Sequence, residues 1–227
     1  MVDTGRLAPD AVRTMFDRIA PVYDLMNRLM TVGLDGRWRR LAAGLVVRPG
    51  DRVLDAACGT GDLALAGLHA GAGSVTGLDF SERMLARARA KAPALDWVQG
   101  DMLELPFAAE AFDAATVGFG VRNVADLPLA LRELRRVLRP GGRVAILEIT
   151  QPRGALKPFF GLWFDRVVPL LGKVLPGGLA YSYLPASVKR FPAAEPLVEL
   201  LREAGFAQVE FRLLGGSIVA LHTGVAV

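Results

Sequence analysis

The chemistry-bearing residues of this chain cluster in Asp55-Ala56-Ala57-Cys58-Gly59-Thr60-Gly61-Asp62, which follows a short run of apolar residues. Gly59 and Gly61 let a backbone pass close to a ligand, and a helix starting at Asp62 would present its first amides to it. Alone, Gly59-x-Gly61-x-x-Ala64 also fits a dinucleotide site. Two more acids change the chemistry. Asp79 ends the next apolar run, where a carboxylate can hold both hydroxyls of a ribose. Asp101, in Gly100-Asp101-Met102, could accept from an exocyclic adenine amine. Asp55 would repel a pyrophosphate but favour an amino group or a sulfonium. Acids at three successive strand ends suit a cationic adenosyl ligand better than an anionic dinucleotide. Cys58 beside them reads as a small packing residue.

These residues need strands that end together. Short β-branched runs alternate with helical stretches, the pattern of a doubly wound α/β sheet. Strands are expected over residues 52–57, 74–78, 96–99, 112–119 and 143–148. Helices are expected over 62–70, 82–91 and 127–138, with Ser81 capping the second and Pro140-Gly141-Gly142 closing the third. Residues 208–214 and 217–225 read as a closing antiparallel pair joined by a Gly215-Gly216 turn. Residues 10–47 show no strand pattern and read as two or three amphipathic helices. The expected organisation is a helical lid over 1–47 and a catalytic domain over 48–227, with a substrate-side insertion at 151–195.

Composition narrows the classes. The 227 residues are 52% hydrophobic, which excludes a disordered chain and suits one domain. One cysteine excludes a disulfide framework or cysteine-built zinc cluster, and the two histidines, His69 and His222, stand far apart. The net charge is +4, nearly all the positive charge is arginine, and the isoelectric point near 9.6 permits an anionic partner without requiring one. Residues 1–10 lack a signal-peptide core, and no apolar run is long enough to span a bilayer. A soluble cytoplasmic chain is expected. Nucleic acid is not expected as a partner, since no Asn/Asp-Pro-Pro-aromatic motif is present.

Asp55 to Asp62, Asp79, Asp101 and Leu138-Arg139-Pro140-Gly141-Gly142 together resemble the Rossmann-like S-adenosylmethionine-dependent methyltransferases. That resemblance implies strand order 3-2-1-4-5-7-6, with Thr60, Asp79, Asp101, Met102 and Gly118 at the cofactor alongside Asp55, Gly59 and Gly61. Four further segments narrow it: Tyr23-Asp24-Leu25-Met26-Asn27 through Met30-Thr31 to Trp38, Gly120-Val121-Arg122-Asn123-Val124, Arg136 to Thr150, and Tyr181-Ser182-Tyr183-Leu184. Over most of the chain these resemble the ubiquinone/menaquinone biosynthesis C-methyltransferases. The departures are conservative except at Asp35, where histidine is usual; Asp35 reads as a helix-turn residue.

The narrower resemblance implies a polyprenylated quinol, methylated on a ring carbon, with demethylmenaquinol the leading substrate and a ubiquinone precursor the alternative. It places Arg122 and Asn123 beside the ring, and Tyr23 in a lid with its ring toward the sulfonium. Tyr181, Tyr183 and Glu148 are alternative polar groups on the substrate side, while His222 reads as a core histidine. Phe159, Phe160, Leu162, Trp163, Phe164, Val167, Leu170 and Leu171 form an apolar helical face with Lys157, Arg166 and Lys173 nearby. Such a face suits an isoprenoid tail and peripheral contact with the inner face of the plasma membrane. Rival readings are a methyltransferase for another hydrophobic small molecule, a nicotinamide oxidoreductase and a non-enzymatic membrane-binding protein.

Overall fold

The computed structural model describes residues 8–152 and 178–227, without the side chains of 178–182. The expected apolar face over 157–173, the Tyr181 side chain and residues 1–7 lie outside the described residues.

Seven strands form one sheet: β1 (Arg52–Ala56), β2 (Ser74–Asp79), β3 (Asp96–Gln99), β4 (Phe112–Gly118), β5 (Leu138–Ile149), β6 (Phe206–Leu214) and β7 (Val219–Ala226). Their order is β3-β2-β1-β4-β5-β7-β6, as expected. The first five are mutually parallel, and β7 runs antiparallel to both β5 and β6. The parallel strands therefore end on one edge, which places the loops after β1, β2 and β4 side by side.

Helices cover both faces. On one, α6 (Leu127–Val137) buries Ala130, Leu131, Leu134 and Val137, a helical stripe, and joins α8 (Ala194–Glu203) on the sheet. On the other, α3 (Asp35–Val46) and α4 (Asp62–His69) pack Ala42, Ala43, Leu63 and Ala64 against β1, β4 and β5. Ser81 caps α5 (Glu82–Lys91) by accepting from the Met84 amide at 3.1 Å. The N-terminal stretch holds α1 (Pro9–Ile19), a 3-10 turn and α2 (Tyr23–Met30) before α3. Only α1 and α2 stand over the strand ends, packed with α7 (Gly178–Arg190), whereas α3 is built into the body. The lid we propose is accordingly α1 and α2.

Two boundaries differ from expectation. The chain leaves α6 directly into β5, because fully buried Leu138 pairs with Phe112; residues 139–142 then bulge out before Arg143 pairs with Ala114. The closing hairpin turns through four residues, 215–218, rather than through Gly215-Gly216 alone. The turn packs closely on Trp38, where a Cβ on Gly215 would lie 2.7 Å from the ring.

Candidate active site

The loop after β1 is held open by left-handed backbone at Ala57, Gly59 and Gly61 (φ 52, 56 and 85). A side chain on Gly61 would also run into Trp97, whose ring lies 2.5 Å from the Cβ position. Asp79 ties this loop to the next: one oxygen accepts from the Gly59 amide at 2.8 Å, the other from the Ser81 amide at 2.9 Å. Burial pushes the Asp79 carboxyl up to about 6 despite those bonds. Asp55 is fully buried; its Oδ1 accepts from the Thr116 hydroxyl at 2.8 Å and its Oδ2 has no hydrogen-bond partner. Burial pushes it up to about 7. The two raised carboxyls share one cause, withdrawal from water.

A small recess of about 20 Å³ opens at this loop, lined among others by Tyr23, Asp55, Gly59, Thr60 and Gly118. The structure thus brings five of the expected cofactor residues together, with Asp79 joined through the Gly59 amide and Gly61 heading α4. Asp101 and Met102 stand off the recess: the Asp101 side chain is exposed and accepts from the Leu103 amide at 2.9 Å, while Met102 is packed in the core. Cys58 is buried, and burial, then Asp79 and Asp55, pushes its thiol well up, as suits a packing residue.

A polar latch joins Thr60 and Asp62 of the recess lining to Asp24 and Lys91, and sequence reasoning missed it. Thr60 Oγ1 donates to Asp24 Oδ1 at 2.5 Å, and Lys91 Nζ bridges Asp24 at 2.9 Å and Asp62 at 2.5 Å. Half-burial raises Asp24, but the Thr60 and Lys91 bonds outweigh it and hold the carboxyl below its ordinary range. Arg39 continues the chain, paired with Asp35 and lying 3.5 Å from Asp62. These groups come from five separate elements, so no local spacing announces them. Partly exposed ion pairs contribute about 0.2–1 kcal/mol each. Lys91→Ala is therefore expected to speed hydrogen exchange in α2 by roughly threefold to tenfold, with global stability little changed; exchange mass spectrometry checks this.

Above the recess lies a larger cavity of about 380 Å³, also walled by Tyr23. Its lining is mostly apolar: Met15, Met26, Met30, Trp38, Phe119, Ile149, Leu184 and Ile218 contribute. Three methionines make such a wall adaptable. The polar lining comes from Tyr23, Asn27, Thr31, Asp35, Arg122 and Tyr183. Two donors there are buried with no hydrogen-bond partner at ordinary distance, Asn27 Nδ2 and Arg122 Nε, although the Asn27 side chain also stands beside the Tyr23 hydroxyl, whose pKa burial raises and Asn27 draws back down in part. Arg122 is fixed by the rest of its guanidinium, which donates from Nη1 to Glu148 Oε1 at 2.7 Å and to the Phe119 carbonyl at 2.5 Å. Glu148 also accepts from the Arg122 and Ile149 amides.

Of the expected substrate-side residues, Arg122 and Tyr183 reach the cavity, and Glu148 acts through Arg122. Asn123 does not: it turns back toward the Phe119 carbonyl at 3.5 Å and stays outside the lining. His222 is a core residue, bonded to the Ala194 carbonyl at 2.9 Å and stacked on Phe211, with burial lowering its pKa. Asp35 does begin a helix, as expected, but it also faces the cavity, where it accepts from Thr31 at 3.0 Å. Asn27 was missed as a site residue; its place on the inward face of α2, one turn after Tyr23, is the signal that could have found it.

The model of the ubiE/COQ5 methyltransferase family matches residues 5–226. The chain is 47% identical to the demethylmenaquinone methyltransferase of Thermus thermophilus, over 92% of this chain and 99% of that protein. It is 40% identical to the ubiquinone/menaquinone biosynthesis C-methyltransferase UbiE of Roseobacter denitrificans, covering 94% and 89%. A SAM-dependent methyltransferase structure from Thermotoga maritima superposes with a TM-score of 0.66 at 21% identity, covering 94% and 99%, and so shares the fold.

Proposed function

The chain belongs to the ubiE/COQ5 methyltransferase family, and from that premise we propose that it methylates a ring carbon of a polyprenylated quinol, demethylmenaquinol first, using S-adenosylmethionine. The observation that carries this reading is an apolar cavity with two unpartnered buried donors, sharing the Tyr23 wall with an acid-lined recess. Buried polar atoms without partners are uncommon in folded proteins, and where they line a cavity they are positions that a ligand or a water can complete. A quinol ring offers oxygens to such donors and apolar surface to the rest.

The recess fits the cofactor in chemistry. Asp55 Oδ2 is an orphan buried acceptor, suited to a cationic amino group or sulfonium. Asp79 supplies the acceptor for ribose hydroxyls, and the Gly59-Thr60-Gly61 backbone leaves room beside them. Asp101 remains our proposed partner for the adenine edge, through the carboxylate oxygen that the Leu103 amide does not use. At about 20 Å³ the recess is too small for the whole cofactor, so in this reading it widens on binding, and the bonds from Thr60 and Asp62 of its lining to Asp24 and Lys91 are those that would give way. When bound, S-adenosylmethionine supplies an electrophilic methyl group.

The protein's part is to make a ring carbon nucleophilic and to aim it. A quinol hydroxyl resembles tyrosine, with a pKa of about 10. Arg122 Nε and Asn27 Nδ2 donate to the ring oxygens, and the guanidinium charge stabilises the phenolate. Loss of the hydroxyl proton pushes electron density onto the ortho carbon, which would form the new C–C bond as the methyl–sulfur bond breaks and a neutral thioether leaves; the proton on that carbon then passes to solvent and aromaticity returns. Glu148 keeps Arg122 in place, and the apolar wall excludes water from the phenolate.

The test is to offer reduced demethylmenaquinone and the reduced ubiquinone precursor side by side with labelled S-adenosylmethionine. Label in the naphthoquinol is the expected result, and the oxidised quinone should take none. Label in the benzoquinol alone would reassign the substrate. Among the described residues no helix is long and apolar enough to cross a membrane; we propose that the protein meets its lipid substrate peripherally.

A further inference from the structure

Helix α2 is apolar on two opposite faces. Tyr23, Met26, Asn27 and Met30 turn toward the cavity, while Leu25 and Leu29, one turn apart, point outward with 59% of each exposed. A helix packed on a globular domain ordinarily turns a polar face to water. The apolar run continues beyond the helix through Val32, 86% exposed, and Leu34, 42% exposed. Both of these also line the rim of the cavity. Seven large hydrophobic residues of the described chain stand this far exposed, and four of them fall within positions 25–34. Such concentration marks an interaction surface.

The backbone supplies a second, independent sign. The Gly33 amide donates to the Arg28 carbonyl at 2.8 Å and Val32 to Leu29 at 3.4 Å, the pairing that closes a helix through one left-handed residue. Glycine normally fills that position. Here it is Val32, at φ 52, with Gly33 one place later at φ 74. A β-branched residue in this region is strained. With most of its side chain in water, little packing within the chain offsets that strain.

The charges of this stretch are one-sided. Between positions 25 and 40 the single acid, Asp35, is buried against Arg39. Arg28, Arg37 and Arg40 are exposed and form no ion pair among the described residues. We infer that residues 25–34 are the edge that enters an anionic lipid bilayer, with Leu25, Leu29 and Val32 inserted among the acyl chains and the arginines against acidic headgroups. This rests on the quinol reading above: the surface is continuous with the cavity rim, so an isoprenoid tail passes from the bilayer to the ring site without crossing water. Apolar side chains with a basic border are the chemistry of interfacial binding.

The experiment is co-sedimentation of the full chain with vesicles of equal parts phosphatidylcholine and phosphatidylglycerol, and with phosphatidylcholine alone. Wild type should bind the acidic vesicles more tightly. Leu25→Glu and Leu29→Glu should each weaken partitioning about tenfold or more. Turnover of a long-tailed quinol held in vesicles should fall in step, while turnover of a short-tailed, water-soluble quinol in buffer stays at the wild-type rate. Val32→Gly guards against a folding artefact: it should weaken vesicle binding while raising the melting temperature. Wild type that ignores vesicles, binding indifferent to phosphatidylglycerol, or variants that bind as wild type does would overturn the inference. So would a patch that instead dimerises the wild type in lipid-free buffer and leaves Leu29→Glu monomeric. Vesicle binding that follows these substitutions without methyl transfer to any quinol would support the surface and remove the substrate reading.

Discussion

Asp79→Asn is expected to weaken S-adenosylmethionine binding about a hundredfold while the melting temperature stays within about 5 °C of wild type. The carboxylate is 5% exposed and accepts from two backbone amides on different loops. Asparagine keeps one acceptor and turns a donor toward the other amide, which moves the Gly59 loop and removes the charged acceptor offered to the ribose. A hydrogen bond to a charged group contributes about 1.5–3 kcal/mol, so losing the charged acceptor for the ribose gives up to roughly that factor. Stability changes little because asparagine also removes a buried charge. Titration calorimetry checks the affinity and thermal unfolding checks the fold; unchanged affinity would take Asp79 out of the cofactor site.

The same carboxyls predict a pH dependence. Asp55 and Asp79 are raised to about 7 and about 6 in the folded protein. An acid raised on folding binds more protons in the native state, so these two groups make the free protein lose stability as pH climbs from about 4 to about 7. A ligand bearing a sulfonium and an ammonium favours the ionised pair. Binding should therefore tighten over that window and release protons, read by repeating the calorimetry in buffers of different ionisation enthalpy.

Arg122→Lys is expected to lower kcat about a hundredfold to a thousandfold and to leave S-adenosylmethionine affinity within about twofold. Lysine still neutralises Glu148, which is 1% exposed, but cannot present a donor where Nε now stands. Alanine is the poorer probe, because a buried glutamate without its partner costs about 3–5 kcal/mol and the fold would suffer first. Single-turnover kinetics beside calorimetry separates the two. Retained turnover would make Arg122 only the structural partner of Glu148.

The glycine loop and Asp79, which we propose for the cofactor, were legible as neighbours because a strand, a glycine loop and an acid at the next strand end are fixed by short-range geometry; Asp101 and Met102, expected beside them, stand off the recess. Ser81 as a cap and the bounds of β3 follow from the same local rules. What escaped reading depends on side chains converging from distant positions. The Asp24–Thr60–Lys91–Asp62 latch joins α2, the loop, α5 and α4, and nothing in any one of them specifies the others. Asn123 looked equivalent to its neighbour Arg122, yet the tight turn over Val121–Asn123 sends the two side chains different ways. The close packing of Gly215 on Trp38 likewise joins positions far apart in sequence. Membrane contact was expected from 157–173, while the second apolar face of α2 was readable at Leu25 and Leu29 and went unread.

The most direct measurement of the account is where the methyl group goes. With S-adenosylmethionine carrying a ¹³C methyl and reduced demethylmenaquinone as acceptor, carbon NMR of the extracted product should show the label bonded to a ring carbon and absent from both ring oxygens. A methoxy signal, or product without label although the cofactor binds, would contradict it.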